Sequence, residues 1–358
     1  MKKTIIIIAA VILAISGFEV NAALEDHYDF MADGIYYEIL SEEEKTVGVV
    51  DPYIRDHWET GAYMNVVTVP PSVEYEGITY RVAAFLECYW CHVRMISLPD
   101  SLDPAYPISM SNLSDLVYIE LPKNLETLTG PSDCRSLPAL YIPPSVKAIA
   151  RASISRVGVE ELWIPQNVKT IGDYSIRENE RLRDVFFDNH VSYGSYPVLS
   201  TLETIGSHCF CSNPLLSDIV LPESLRSVGE DCFNDCPSMT LAQLPATDLS
   251  LTDCFNGCPA ITTLCVTSYE PYPFPETCFL DVDRSKCRLL VPDGSEELYM
   301  EADGWKDFYV IVGDPTLSAR APSVSRVSGG QAYNLDGTPK PDDEKGIAIQ
   351  DGKVIIRK

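Results

Sequence analysis

The sequence predicts a mainly β solenoid of about 22–23-residue coils, opened by an N-terminal β-hairpin cap and closed by a short C-terminal β tail. Three observations carry this. A Leu-Pro phrase recurs, a second apolar phrase keeps step with it, and each unit is too short to bury its own apolar side chains without stacking on its neighbours.

The first phrase reads Ile96-Ser97-Leu98-Pro99, Ile119-Glu120-Leu121-Pro122, Leu140-Tyr141-Ile142-Pro143, Leu162-Trp163-Ile164-Pro165 and Ile219-Val220-Leu221-Pro222. The prolines from 99 to 165 lie 23, 21 and 22 residues apart, and Leu244-Pro245 follows Pro222 by 23. Apolar residues alternate with outward ones, the period of a short strand, and proline ends each strand by removing a ladder donor. The second phrase reads Ile171-Gly172-Asp173-Tyr174-Ser175-Ile176, Ile205-Gly206-Ser207-His208-Cys209-Phe210 and Val228-Gly229-Glu230-Asp231-Cys232-Phe233. Here Gly229 is expected to mark a tight turn, and Cys232 to Cys236 a turn crossing back. The 57 residues from Pro165 to Pro222 hold two coils and an insertion of about a dozen residues near Asp188 to Ser200, expected on a loop.

Both ends of the chain differ from its body. Lys2 and Lys3, an apolar run from Thr4 to Gly17, and the small residues of Val20-Asn21-Ala22 have the form of a secretory signal over 1–22, cleaved near Ala22. The run is shorter than the roughly 20 residues a membrane span needs, and no second stretch of that length follows, so an exported chain, secreted or at the cell surface, is expected. The net charge is −25, and residues 23–314 alone sum to −28, which argues against nucleic acid and anionic lipid as partners. Residues 315–358 reverse the balance, with seven basic and five acidic side chains. A linker is expected over 315–330 and a hairpin tail over 331–358, turning at Asp351-Gly352.

The phrase Leu216-x-x-Ile219-x-Leu221-Pro222-x-Ser224-Leu225-x-x-Val228-Gly229-x-x-Cys232-Phe233-x-x-Cys236 resembles the repeat of BspA-like leucine-rich-repeat surface and secreted proteins, over roughly residues 66–312. The resemblance implies a leucine-rich-repeat solenoid over 96–314, ended by a cap at Leu290–Tyr299 and Gly304–Phe308. It also implies an N-terminal β region over 23–95 with hairpins at Gly34–Ile39 and Val73–Val82. It further implies protein binding or adhesion at the cell surface, without naming a ligand; the sequence holds no Gly-rich phosphate loop, Gly-x-Ser-x-Gly elbow or His-Glu-x-x-His, so no catalysis and no cofactor are expected. The tail is similar to C-terminal tails that, in longer form, sort such proteins to the outer membrane. Between Gly130 and Ser155 the usual aromatic is missing and Arg135, Arg151 and Arg156 fall near the turn, so looser or irregular packing is expected there.

Cysteine is the residue type that most invites chemistry. Cys209, Cys232, Cys254 and Cys278 each precede a phenylalanine, at intervals of 23, 22 and 24, and so occupy one position in successive coils. Cys236 and Cys258 form a second series, which Cys88 and Cys134 suit. Free cysteine packs as a small apolar residue, so buried thiols are expected, and Cys232→Ser is expected to cost about 1–3 kcal/mol through a poorly paired hydroxyl. Neighbouring coils also lie within bridging range, which leaves occasional disulfides open. Cys88-Tyr89-Trp90-Cys91-His92 has the spacing of a c-type haem attachment, so a redox, haem or metal site using Cys88, Cys91 and His92 stands as the alternative function. Phe85 to Cys88, however, repeats the spacing of Phe233 to Cys236, which gives Cys88 a packing role. His208 beside Cys209 and Cys211 suggests a nucleophile only if a thiol is exposed.

The leading function is binding of a protein or other macromolecule through the strand face. Tyr118, Tyr141 and Trp163 flank the Leu-Pro row and are candidate contacts, since Tyr and Trp concentrate at interface centres. The competing reading is that they cover neighbouring coils.

Overall fold

The computed structural model describes residues 28–50, 64–86, 88–89, 92–187, 200–249, 251–318, 346–350 and 353–357. The expected leader over 1–22, Cys91, most of the insertion, the linker beyond Ser318 and the Asp351-Gly352 turn lie outside the described residues.

The N-terminal sheet combines β1 (Phe30–Ala32), β2 (Ile35–Ser41), β3 (Thr46–Val50), β5 (Ser72–Tyr75) and β6 (Ile78–Phe85), in the order β1-β2-β3-β6-β5. The hairpins turn at Asp33-Gly34 and Glu76-Gly77, where both residues have positive φ. That geometry matches the twist of the strands it joins, and a glycine in the second position tolerates it. Phe30 on β1 stacks on Tyr75 of β5 at 4.1 Å and also meets Tyr37 and Tyr80, which draws the two edges of the sheet together.

Two rows of parallel strands then form the solenoid. The first row holds the Leu-Pro phrases. It starts with β4 (Met64–Thr68), β8 (His92–Ser97) and β10 (Tyr118–Glu120), resumes at β13 (Glu161–Ile164) and β15 (Asp184–Phe187), and ends with β17 (Asp218–Val220), β19 (Leu241–Leu244), β20 (Thr263–Val266), β21 (Arg288–Pro292) and β22 (Val310–Asp314). The second row stacks two-residue strands: β11 (Thr127–Leu128), β12 (Ala148–Ile149), β14 (Thr170–Ile171), β16 (Thr204–Ile205) and β18 (Ser227–Val228). A minor pair, β7 (Cys88–Tyr89) with β9 (Met110–Ser111), joins the first coils. At the far end β23 (Gly346–Gln350) and β24 (Lys353–Arg357) form an antiparallel hairpin, as the alternating tail implies. The parallel row therefore begins at β4, inside the segment expected as an N-terminal cap.

The third side of each coil is an arc of turns. From the coil of Ala152 to that of Gly257 two residues per coil adopt left-handed backbone there, such as His208 and Ser212, or Asp231 and Asp235. Such conformations are unfavourable away from glycine and persist where surroundings over-determine them. The surroundings here are inter-coil hydrogen bonds: the backbone N–H groups of His208, Phe210 and Ser212 donate to the carbonyls of Glu230, Cys232 and Asn234 at 2.9, 2.8 and 2.7 Å. Gly229 has a different role from the expected turn. A Cβ on it would lie 2.2 Å from the Ser207 backbone nitrogen, so the glycine permits close approach of consecutive coils. Gly206 meets the Asp173 backbone in the same way.

Two slots run up the inside of the arc. The first holds Ser153, Ser175, Cys209, Cys232, Cys254 and Cys278, all buried. Beside it Phe210, Phe233, Phe255 and Phe279 form a column of stacked rings at 5.4, 5.2 and 5.2 Å. The second holds Cys134, Asn179, Asn213, Cys236 and Cys258, also buried. The ten cysteines from Cys134 to Cys287 form no disulfide with one another, and nine of them are buried.

The serines revise the expectation for Cys232. The Ser175 hydroxyl donates within a bifurcated arrangement to the carbonyls of Ala150 and Gly172, both at 2.7 Å, and Ser153 contacts Leu128 and Ala150 likewise. The slot itself supplies hydroxyl acceptors. Cys232→Ser is therefore expected to change stability by no more than about 1 kcal/mol. A urea-denaturation loss above about 2 kcal/mol would contradict the equivalence of the two residues in this slot.

Packing between Gly130 and Ser155 also departs from expectation. Leu137, Val146 and Ile154 are fully buried, and Arg156 bridges Asp133 and Glu178 across two coils. The strand ladder lapses at Leu140–Ile142, although both Leu140 and Ile142 are buried.

Candidate binding face on the strand row

Alternation along each strand sends every second side chain outward, and parallel register aligns these into rows. Tyr118 on β10 lies in register with Met95 on β8 and, through it, with Val66 on β4. All three are exposed, Tyr118 by 47 %. Tyr141 and Trp163 occupy the other outward position, two residues along. Tyr141 is 61 % exposed, whereas Trp163 is half-buried because the Phe186 ring stacks on it at 4.0 Å and 18°. The three residues selected from the sequence thus share one face but stand in two rows.

Carboxylates continue the row that Tyr118 begins. Glu161 pairs in register with Asp184, and the Ser217 N–H bonded to the Arg183 carbonyl at 3.0 Å sets Asp218 beside Asp184. Burial, and then the neighbouring Asp218 charge, push the Asp184 carboxyl above the usual carboxylate range, while the Ser217 hydroxyl and Arg183 oppose the shift. Asp218 accepts from the Thr240 hydroxyl at 3.0 Å.

The face closes toward its C-terminal end. Past Val220 the same outward positions hold Gln243, Cys265 and Leu290, all buried. A single helical turn, Pro315–Ser318, lies over them, and its Leu317, 2 % exposed, packs on Cys265 and Leu290 with Leu241 alongside. Those four residues begin the segment expected as a linker. Below this cover the last coil is sealed by aromatic side chains: Trp305 Nε1 donates to the Tyr272 carbonyl at 2.7 Å, and the Tyr299 hydroxyl to Ser268 at 2.8 Å. Among the described residues the outward positions from β4 to β17 are exposed or half-buried.

Chemistry-bearing residues elsewhere are placed as follows. His92 Nδ1 lies 2.8 Å from Asp115 Oδ2, both half-exposed. Cys88 is on β7, and Cys91 lies outside the described residues. Among the described residues no group of three or more His, Cys, Asp or Glu is placed to hold a metal. His208 stacks on Tyr174 at 4.9 Å, with Arg151 4.7 Å from the same ring. Cys209 beside it is fully buried, and burial pushes the half-buried Cys211 thiol up, away from nucleophilic form. On the turn side an open groove lined by Arg135, Glu178, Glu180 and Asp235 is crossed by the Arg135–Glu180 ion pair. Among the described residues no helix is long and apolar enough to cross a membrane.

Comparison with known proteins places the repeats. The family described as BspA type Leucine rich repeat region matches residues 116–199 and 187–283, in six copies. A comparison with curated protein sequences finds no match. Among solved structures, a leucine-rich repeat protein from Bacteroides ovatus is 17 % identical, over 81 % of this chain and 89 % of that one, with a TM-score of 0.41. A leucine-rich cell surface protein from Faecalibacterium prausnitzii is 14 % identical over 86 % and 100 %, with a TM-score of 0.27. The Leucine Rich Repeat protein of T. pallidum is 15 % identical over 66 % and 81 %, with a TM-score of 0.31. With six such copies laid over the stacked coils between residues 116 and 283, the repeat array belongs to the BspA-type leucine-rich-repeat family.

Proposed function

We propose that this is an exported, cell-surface adhesion or binding protein that holds a protein partner on the open part of its strand face, without catalytic turnover or cofactor. The carrying observation is the exposed aromatic set of that face: Tyr118 and Tyr141 outward, and the Trp163–Phe186 stack between them and the covered end. Leucine-rich-repeat proteins mediate protein interactions, and a solenoid supplies an extended, rigid surface whose ordering on association costs little. In this reading residues 1–22 are the export signal, 23–95 and 96–314 the cap and array, and 331–358 a tail joined by the linker.

The test is surface-immobilised binding to extracellular-matrix and mucosal proteins, comparing the natural chain with Tyr141→Ala/Trp163→Ala. An interface anchored there loses about tenfold or more in affinity. Unchanged affinity in a folded double variant removes this face, and turnover of any polymer removes the non-catalytic reading.

A further inference from the structure

The outward positions of the open face follow one charge rule. From β10 to β17 they are Tyr118, Glu120, Ala139, Tyr141, Glu161, Trp163, Asp184, Phe186, Asp218 and Val220, which include carboxylates and aromatics but no lysine or arginine. The rule is local, because Lys123, Lys147 and Lys169 all lie elsewhere on the coils, each facing a carboxylate. Carboxylates and rings alternate along the same strands, two residues or about 6.6 Å apart. A lysine or arginine spans such a step with its stem on the ring and its charge on the carboxylate. Asp184, half-buried, sits beside the exposed Asp218, with hydroxyls and the flanking Arg183 as their neighbours, an arrangement that a further cation stabilises.

We infer that the partner docks on this face through a lysine- or arginine-rich extended segment, its charges against Glu161, Asp184 and Asp218 and its stems over Trp163, Phe186 and Val220. This rests on the strand-face reading above and specifies the partner's chemistry. Anionic partners are disfavoured by the same field, since residues 23–314 sum to −28.

The experiment titrates the full mature chain against three fluorescent extended peptides of equal length, rich in Lys/Arg, rich in Asp/Glu, or neutral. The basic peptide is expected to bind at least about tenfold more tightly than either other, and to weaken by about tenfold between low and physiological salt. Asp184→Asn/Asp218→Asn and Trp163→Ala are each expected to weaken it by about tenfold, with the Asn variant also less salt-sensitive. If Trp163→Ala weakens binding while salt and the Asn variant do nothing, the face stands and the cationic partner is overturned. If neither variant has an effect, the face itself is wrong. Equal binding of the acidic peptide overturns the inference. So does basic-peptide binding that appears only when Lys353, Arg357 and Lys358 are all changed to glutamine, since the chain's own tail would then be the occupant.

Discussion

Replacing Asn213 with alanine lowers the stability of the repeat array by about 3–5 kcal/mol. Asn213 is fully buried and all its hydrogen bonds go to backbone. Its Oδ1 accepts from the Asn179 N–H at 2.8 Å, and its Nδ2 donates to the carbonyls of Ile176 and Phe210 at 2.8 and 2.7 Å. Alanine leaves the Asn179 N–H and the Ile176 carbonyl without these partners in the core, while the Phe210 carbonyl keeps the Cys236 thiol, and an orphaned buried group costs about 1–3 kcal/mol. Asn213→Cys is expected to cost less. Cys236 and Cys258 occupy the same slot and direct their thiols at the Phe210 and Phe233 carbonyls, 3.3 and 3.2 Å away, so cysteine keeps the donor and loses the acceptor. Urea unfolding followed by circular dichroism measures both. A loss below about 1 kcal/mol for alanine would mean that water or backbone movement satisfies these groups.

This slot also shows where sequence reading stops. Cys134, Cys236 and Cys258 were legible as equivalent because cysteine is rare and its spacing recurs. Asn179 and Asn213 were not, because asparagine in a turn-rich stretch reads as turn chemistry. The signal was available: Phe210-x-x-Asn213 has the spacing of Phe233-x-x-Cys236. Gly229 illustrates a second limit. A glycine after a β-branched residue fits a turn or a close approach equally well, and the Ser207 backbone that decides between them belongs to the preceding coil.

The binding face was legible as far as alternation reaches. Period two places Tyr118, Tyr141 and Trp163 outward, but only inter-coil register separates Tyr118, aligned with Met95, from Trp163, aligned with Phe186. Phe186 escaped notice because its coil lacks the Leu-Pro phrase, the insertion standing where proline stands elsewhere. The cover over Cys265 and Leu290 is formed by Leu317, whose surroundings of Pro, Thr and Ser look like a linker. Nothing local encodes that contact.

Phe233→Ala is expected to destabilise the array by about 3–5 kcal/mol. Phe233 is fully buried and sits mid-column, its ring 5.4 Å from Phe210 and 5.2 Å from Phe255, within 11° of parallel to both. Alanine loses two stacked contacts and the transfer energy of the ring. It also opens a cavity that cannot collapse, because backbone bonds from Phe233 to Cys254 and from Phe210 to Cys232, at 2.9 and 2.8 Å, hold the coil spacing. Phe233→Ile is expected to cost less, about 1–2 kcal/mol, since Ile154 and Ile176 fill the same slot in earlier coils and are fully buried. Coils share one core, so the loss should appear as a lower midpoint of a single transition reported alike by tryptophan fluorescence and circular dichroism. Two separated transitions would show that the column couples only its nearest neighbours. An alanine penalty no larger than the isoleucine one would show that the rings stack without contributing beyond their volume.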